Sequence, residues 1–88
     1  MSDGLRAATS PVNLEEIRQD TLEWVSELLE EPAKSEDNFL DLGGHSMLAL
    51  QLSGRAKEKY GAEYDIKTLF EATLEKAAAD LASRAATA

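Results

Sequence analysis

The chain has 88 residues, enough for one domain at most. It has no cysteine, which excludes a disulfide framework and a thiolate metal site, and its single histidine argues against a His-rich metal centre. The formal net charge is −8, and an acidic chain with no basic stripe lacks the Lys and Arg that nucleic-acid phosphates require.

A chain this short buries roughly 60–65% of its unfolded surface, so its core is small. No run of about 18 apolar residues is present to span a membrane, and no apolar signal segment opens the chain, so a cytoplasmic home is expected. The charge is uneven. Residues 1–41 hold 11 acidic and 3 basic side chains, whereas residues 42–88 hold 6 of each. The acid reads as a solvated helix face that aids solubility, with steering of basic partners as the functional alternative.

Residues 1–12 include Gly4, Ser10 and Pro11 and show little periodicity, as expected of a flexible lead-in. Asn13 with Glu16 resembles a capping box, with Asn in the Ser/Thr slot. From there Leu14, Ile17, Thr21, Trp24, Val25 and Leu28 share one side of an amphipathic helix. Glu15, Glu16, Asp20, Glu23, Glu27 and Glu30 share the other, and Pro32 stops the helix near Glu30. Trp24 reads as core packing rather than a cofactor platform.

Residues 33–45 form a loop, long for so small a domain. Phe39, Leu40 and Leu42 are expected to pin it onto the helices. Asp37, Asn38 and Asp41 invite a calcium-loop reading, which fails. Phe39 falls at the third ligand position and no Glu at the twelfth, so no metal site is expected.

Gly43 and Gly44 give a backbone free to turn and open to close approach. Ser46 stands where an N-cap should stand. The helix that follows runs to Tyr60 and ends on Gly61. It carries two apolar stripes. Leu48, Ala49, Leu52, Ala56 and Tyr60 suit packing on the first helix. Met47, Leu50 and Gly54 lie well away from them, either covered by the loop or a short helix, or left as a docking patch beside the serine. Asp65 caps a short helix from Ile66 to Glu71, with Ile66, Leu69 and Phe70 inward. Thr73 caps a last helix whose apolar side is Leu74, Ala77, Ala78, Leu81 and Ala85. The expected fold is all-α, a small antiparallel bundle of three main helices plus one short helix. Its domain spans 13–85, with a tail at 86–88.

Ser46 as a hydrolytic nucleophile would need a base beside it. His45 adjoins it in sequence, but neighbouring side chains at a helix start point apart. No Gly-x-Ser-x-Gly elbow is present, and a bundle of this size offers no deep substrate pocket. Residue pattern alone leaves a plain N-cap as an equal account of Ser46.

Asp41-Leu42-Gly43-Gly44-His45-Ser46 resembles the attachment motif of phosphopantetheine-bearing carriers, in the peptidyl carrier (thiolation) branch of nonribosomal peptide synthesis. The likeness extends over roughly residues 13–85: helix, long loop, Asp-x-Phe-x-x-Leu-Gly-Gly-His-Ser, long helix, Leu-Phe-Glu and a final helix. It departs in two places. Glu71-Ala72-Thr73-Leu74 lacks the proline often found before the last helix. The acidic first helix leans toward fatty-acid and polyketide carriers, which usually show Asp-Ser-Leu where this chain has His45-Ser46-Met47.

The resemblance implies that Ser46 is the acceptor for 4′-phosphopantetheine, delivered from coenzyme A by a magnesium-using phosphopantetheinyl transferase. Asp41, Leu42, Gly43, Gly44 and His45 form the motif around it. Met47, Leu50, Gly54, Ile66 and Phe70 would meet partner enzymes. The arm's thiol would hold an aminoacyl or peptidyl group as a thioester, loaded by an adenylating enzyme and passed to condensation or tailoring enzymes. The chain itself would be a non-catalytic monomer. Because it begins with Met and holds nothing but the carrier, it is expected to be free-standing, with a domain cut from a multidomain synthetase as the competing account. The alternatives are an acyl carrier for polyketide or fatty-acid chains, and a helical interaction module that is never modified.

Overall fold

In the computed structural model, which describes residues 13–87, four helices follow one another with no strand among those residues. Helix α1 is Leu14–Leu29, α2 is Ser46–Tyr60, α3 is Ile66–Glu71 and α4 is Leu74–Thr87. The lead-in expected at 1–12 lies outside the described residues. The last helix continues through Thr87, and Arg84 near its end pairs with Asp80 at 2.8 Å and Asp65 at 3.0 Å.

Capping sets most of the boundaries. Asn13 Oδ1 accepts the Glu16 backbone N–H at 3.1 Å and opens α1. The expected box is only half formed. The Glu16 carboxylate pairs with Lys59 on α2 at 3.3 Å instead of returning to the cap. Asp65 accepts the Thr68 N–H at 3.0 Å and the Thr68 hydroxyl at 2.7 Å. These bonds, the hydroxyl first, hold the Asp65 carboxyl below the usual carboxylate range. Thr73 Oγ1 accepts the Lys76 N–H at 3.2 Å and opens α4. Helix α1 ends on Glu30 at φ 55°, a left-handed residue before Pro32, whose ring bars further helix.

The core is built from Ile17 and Val25 of α1, Leu52 and Ala56 of α2, Leu69 of α3, and Leu74, Ala78 and Leu81 of α4, closed by Phe39 from the loop. Helix α1 lies mainly against α4 and more lightly against α2. The buried stripe of α1 is narrower than expected. Leu14 is exposed, and Trp24 and Leu28 are half-buried against the core edge. Trp24 packs on Tyr60, their ring centroids 6.2 Å apart.

Ion pairs fix how α1 and α2 run. Arg55 meets Glu27 at 2.6 Å, and Lys59 meets Asp20 at 2.7 Å. Residues late in α2 therefore face residues early in α1, so these two helices are antiparallel. The Tyr60 hydroxyl also donates to Asp20, at 2.5 Å. The acidic face is thus partly consumed within the fold rather than wholly solvated. Solvent screens such exposed pairs, so they set register more than stability.

Two polar groups lie in the core. Thr21 donates its one proton to Ile17 O at 2.7 Å, so the Tyr64 hydroxyl, 2.7 Å away, must donate to Thr21. Burial pushes the Tyr64 phenol up, which keeps it a donor. Ser53 is different. It is 6% exposed and its Oγ has no partner. An unmet buried hydroxyl is costly, and alanine is the better helix former. Ser53→Ala is therefore expected to raise stability by about 1 kcal/mol, read as a higher urea midpoint at unchanged slope.

Candidate functional site

The loop from 33 to 45 is held by hydrogen bonds at nearly every step. The Arg18 guanidinium donates to Ser35 Oγ at 2.8 Å. The carbonyls of Asp37 and Ser35 accept the Leu74 and Glu75 N–H groups at 2.8 and 3.0 Å, so the loop backbone helps close the start of α4. Asn38 donates its amide to Phe70 O at 3.0 Å and Ala72 O at 2.8 Å. Its Oδ1 accepts the N–H groups of Leu40 and Asp41 at 2.9 and 3.1 Å. Sequence reasoning weighed Asn38 only as a calcium ligand and missed this role. The available signal was an Asn opening a turn ahead of two glycines.

From there the chain climbs to α2. The Leu42 N–H reaches Asn38 O at 3.1 Å, Gly43 reaches Leu40 O at 3.0 Å, and Gly44 reaches Phe39 O at 2.9 Å. Gly43 sits at φ 104°, which other residues seldom adopt. Gly44 is needed for a separate reason: its Cα lies against the Phe39 ring, where a Cβ has no room. Phe39 is fully buried and stacks on Phe70 with centroids 6.1 Å apart and ring planes at 11°. The expected pinning of the loop thus falls mainly to Phe39. Leu42 is half-buried, and Leu40 stays exposed.

His45, not Ser46, takes the N-cap place, at φ −152° and ψ 179°, and its side chain makes no capping bond. Ser46 is the first helical residue. This corrects the sequence expectation, because the rise out of Gly44 leaves His45 in the extended conformation a cap requires. The consequence is chemical. Ser46 is exposed, and among the described residues its Oγ has no hydrogen-bond partner. The hydroxyl is not consumed by the helix end. Among the described residues no side chain hydrogen-bonds to it as a general base would.

Beside Ser46, Met47 is 62% and Leu50 68% exposed. Gly54, further along α2, is exposed with open space above its Cα. Neither the loop nor α3 covers this stripe. Ile66 is 39% exposed, against the expectation that it points inward, because Leu69 alone fills the core from so short a helix. Phe70 is half-buried, one face committed to Phe39. An open cleft of about 600 Å³ lies between the loop and the α3–α4 junction, lined by Leu40, Asp41, Phe70, Thr73 and Lys76 among others. Ser46 does not line it. No helix among the described residues is long and apolar enough to cross a membrane.

A short helical bundle that raises an exposed hydroxyl at a helix start has the layout of a domain that presents a group. Comparison with known proteins agrees. Residues 19–81 match the phosphopantetheine attachment site family, and the chain belongs to that family. It is similar to the dimodular nonribosomal peptide synthase of Bacillus subtilis (strain 168), 57% identical over 37 residues, which is 42% of this chain and 2% of that protein. It is also similar to two proteins of the linear gramicidin synthase of Brevibacillus parabrevis. One is 53% identical over 36 residues, 41% of this chain, and the other is 44% identical over 48 residues, 54% of this chain. The chain spans 1% of each of these two proteins. No solved structure matches it significantly.

Members of this family are non-catalytic and carry 4′-phosphopantetheine covalently. The start of α2 fits such a group. The other three helices each open on a side-chain acceptor, from Asn13, Asp65 and Thr73, whereas α2 opens on none. Its first N–H groups would suit a phosphate, which the helix dipole also favours.

Proposed function

We propose that the chain is a carrier domain of nonribosomal peptide synthesis, with 4′-phosphopantetheine attached at Ser46 and an aminoacyl or peptidyl group held on its thiol. The observation that carries this reading is the exposed Ser46 Oγ, unpartnered among the described residues, at an uncapped helix start within the stretch that matches the family. In the attachment step Ser46 Oγ bonds to the phosphorus that bears the pantetheine of coenzyme A. The bond from that phosphorus to the adenosine bisphosphate breaks, and the hydroxyl proton leaves to a base on a phosphopantetheinyl transferase. This chain's part is to offer the oxygen unobstructed, with Gly43 and Gly44 keeping the approach clear. When bound, the group supplies a thiol that forms a reactive thioester, and its tether raises the cargo's effective concentration at each partner site.

Met47, Leu50, Gly54 and Ile66 form the docking surface for the transferase, an adenylating enzyme and condensation or tailoring enzymes, with the free edge of Phe70 at its border. Exposed methionine and leucine beside a modifiable serine suit a patch that several enzymes use in turn. The reading places the chain in the cytoplasm, with its coenzyme A and loading enzymes, as a monomer between encounters.

A loading assay tests the proposal. With coenzyme A, magnesium and a broad-specificity transferase, intact mass should show one arm per chain. The modified chain should then take an amino acid from an adenylating enzyme and ATP, as a thioester cleaved by hydroxylamine. Loading by malonyl or acyl transfer alone, with every adenylating enzyme in the panel inactive on it, would move the chain to the polyketide and fatty-acid carriers.

A further inference from the structure

Asn38 lies outside the attachment motif and does not touch Ser46, yet all four of its side-chain hydrogen bonds converge on the geometry of the site. Its two amide protons go to Phe70 O and Ala72 O, carbonyls at the open end of α3. Its oxygen takes the N–H groups of Leu40 and Asp41, which start the climb to α2. The next rungs, Leu42 to Asn38 O, Gly43 to Leu40 O and Gly44 to Phe39 O, pass that placement to His45 and Ser46. One side chain therefore joins two elements that make no covalent turn with each other: the loop that lifts Ser46, and α3, which carries Ile66.

We infer that Asn38 is a positioning residue for partner recognition, setting α3 and Ile66 relative to Ser46, Met47 and Leu50 so that one enzyme can engage both helices at once. The inference rests on the carrier reading above. The chemistry of the side chain makes it specific. An aspartate has the same shape and still accepts from Leu40 and Asp41. It donates nothing to Phe70 O and Ala72 O, and sets a charged oxygen against both carbonyls. Asn38→Asp thus keeps the turn and releases α3. Ser46, Met47 and Leu50 all lie on α2 and keep their mutual geometry. The loss should fall on assembly of the two-helix surface, which is a binding term, rather than on transfer to the hydroxyl once bound.

The test is steady-state phosphopantetheinyl transfer with the carrier as varied substrate. For Asn38→Asp, KM should rise about tenfold with kcat within about twofold of wild type. Tyr64→Phe is the control. It removes the buried bond to Thr21, away from the loop, and lowers the thermal midpoint without touching the link between the loop and α3. It should leave both constants near wild type. Should Asn38→Asp not fold by circular dichroism, Asn38→Ser, whose hydroxyl still accepts locally from the turn but is too short to reach Phe70 O and Ala72 O, is read in the same way. Unchanged kinetics, a loss confined to kcat, or an equal KM rise in Tyr64→Phe each overturns the inference. A wild-type chain that gains no arm brings down the carrier reading instead, and this inference with it.

Discussion

Ser46→Ala is expected to abolish phosphopantetheine attachment completely while leaving the fold as stable as wild type. The two halves of this result come from the same geometry. Attachment needs an oxygen at that position, and Ser46 is the exposed hydroxyl at the α2 start; no change in mass should follow incubation with coenzyme A and transferase. Stability should hold because, among the described residues, Ser46 Oγ makes no hydrogen bond, and the cap position belongs to His45. Alanine has the higher helix propensity, so the change in unfolding free energy should stay within about 0.5 kcal/mol and lean toward stabilisation. A serine acting only as a cap behaves in the opposite way. It would never be modified, and its loss would cost about 1 kcal/mol. Intact mass and urea unfolding on the same two proteins separate the accounts. A mass gain on the alanine variant would place the arm elsewhere and end the assignment.

Gly44→Ala is expected to be among the most damaging single methyl additions to the chain. The new Cβ would sit 2.5 Å from Phe39 Cδ2 and 2.6 Å from Cζ. A flexible surface side chain could swing aside, but Phe39 is fully buried and held flat against Phe70. Either the ring leaves its core position or the loop lifts away from it. Overpacking of this kind costs about 2–3 kcal/mol. In a domain of this size that lowers the thermal midpoint by roughly 10–20 °C. It should also slow attachment at Ser46, two residues on. Gly43→Ala is the informative contrast. It meets nothing within 4 Å and suffers only from its positive φ, so it should cost about 1 kcal/mol. A cycle with Phe39→Leu should show strong coupling for Gly44 and little for Gly43. Equal costs for the two glycines would show that backbone freedom, not the ring, explains the pair.

Much of the fold was legible from pattern. The apolar spacing of Leu48, Ala49, Leu52 and Ala56 marks the inner side of α2, and Asn13, Asp65 and Thr73 mark three helix starts. All of these act locally, within one or two turns, so the chain itself carries the signal. The exposed stripe of Met47 and Leu50 was legible as a surplus, one apolar face more than a bundle helix needs. Ile66 was misjudged because a six-residue helix offers too few positions for periodicity to say which residue faces the core.

The Leu-Gly-Gly-His-Ser run, the helix count and the family were determined by local residue order alone, since each depends on neighbours a few positions apart. Tertiary structure decided whether the hydroxyl was spoken for. The answer depends on Phe39 lying under Gly44, on Phe70 lying behind Phe39, and on Asn38 reaching residues 32 and 34 positions away. These contacts lift the loop so that His45 takes the cap and Ser46 is left free, and no spacing along the chain encodes a meeting of segments that far apart.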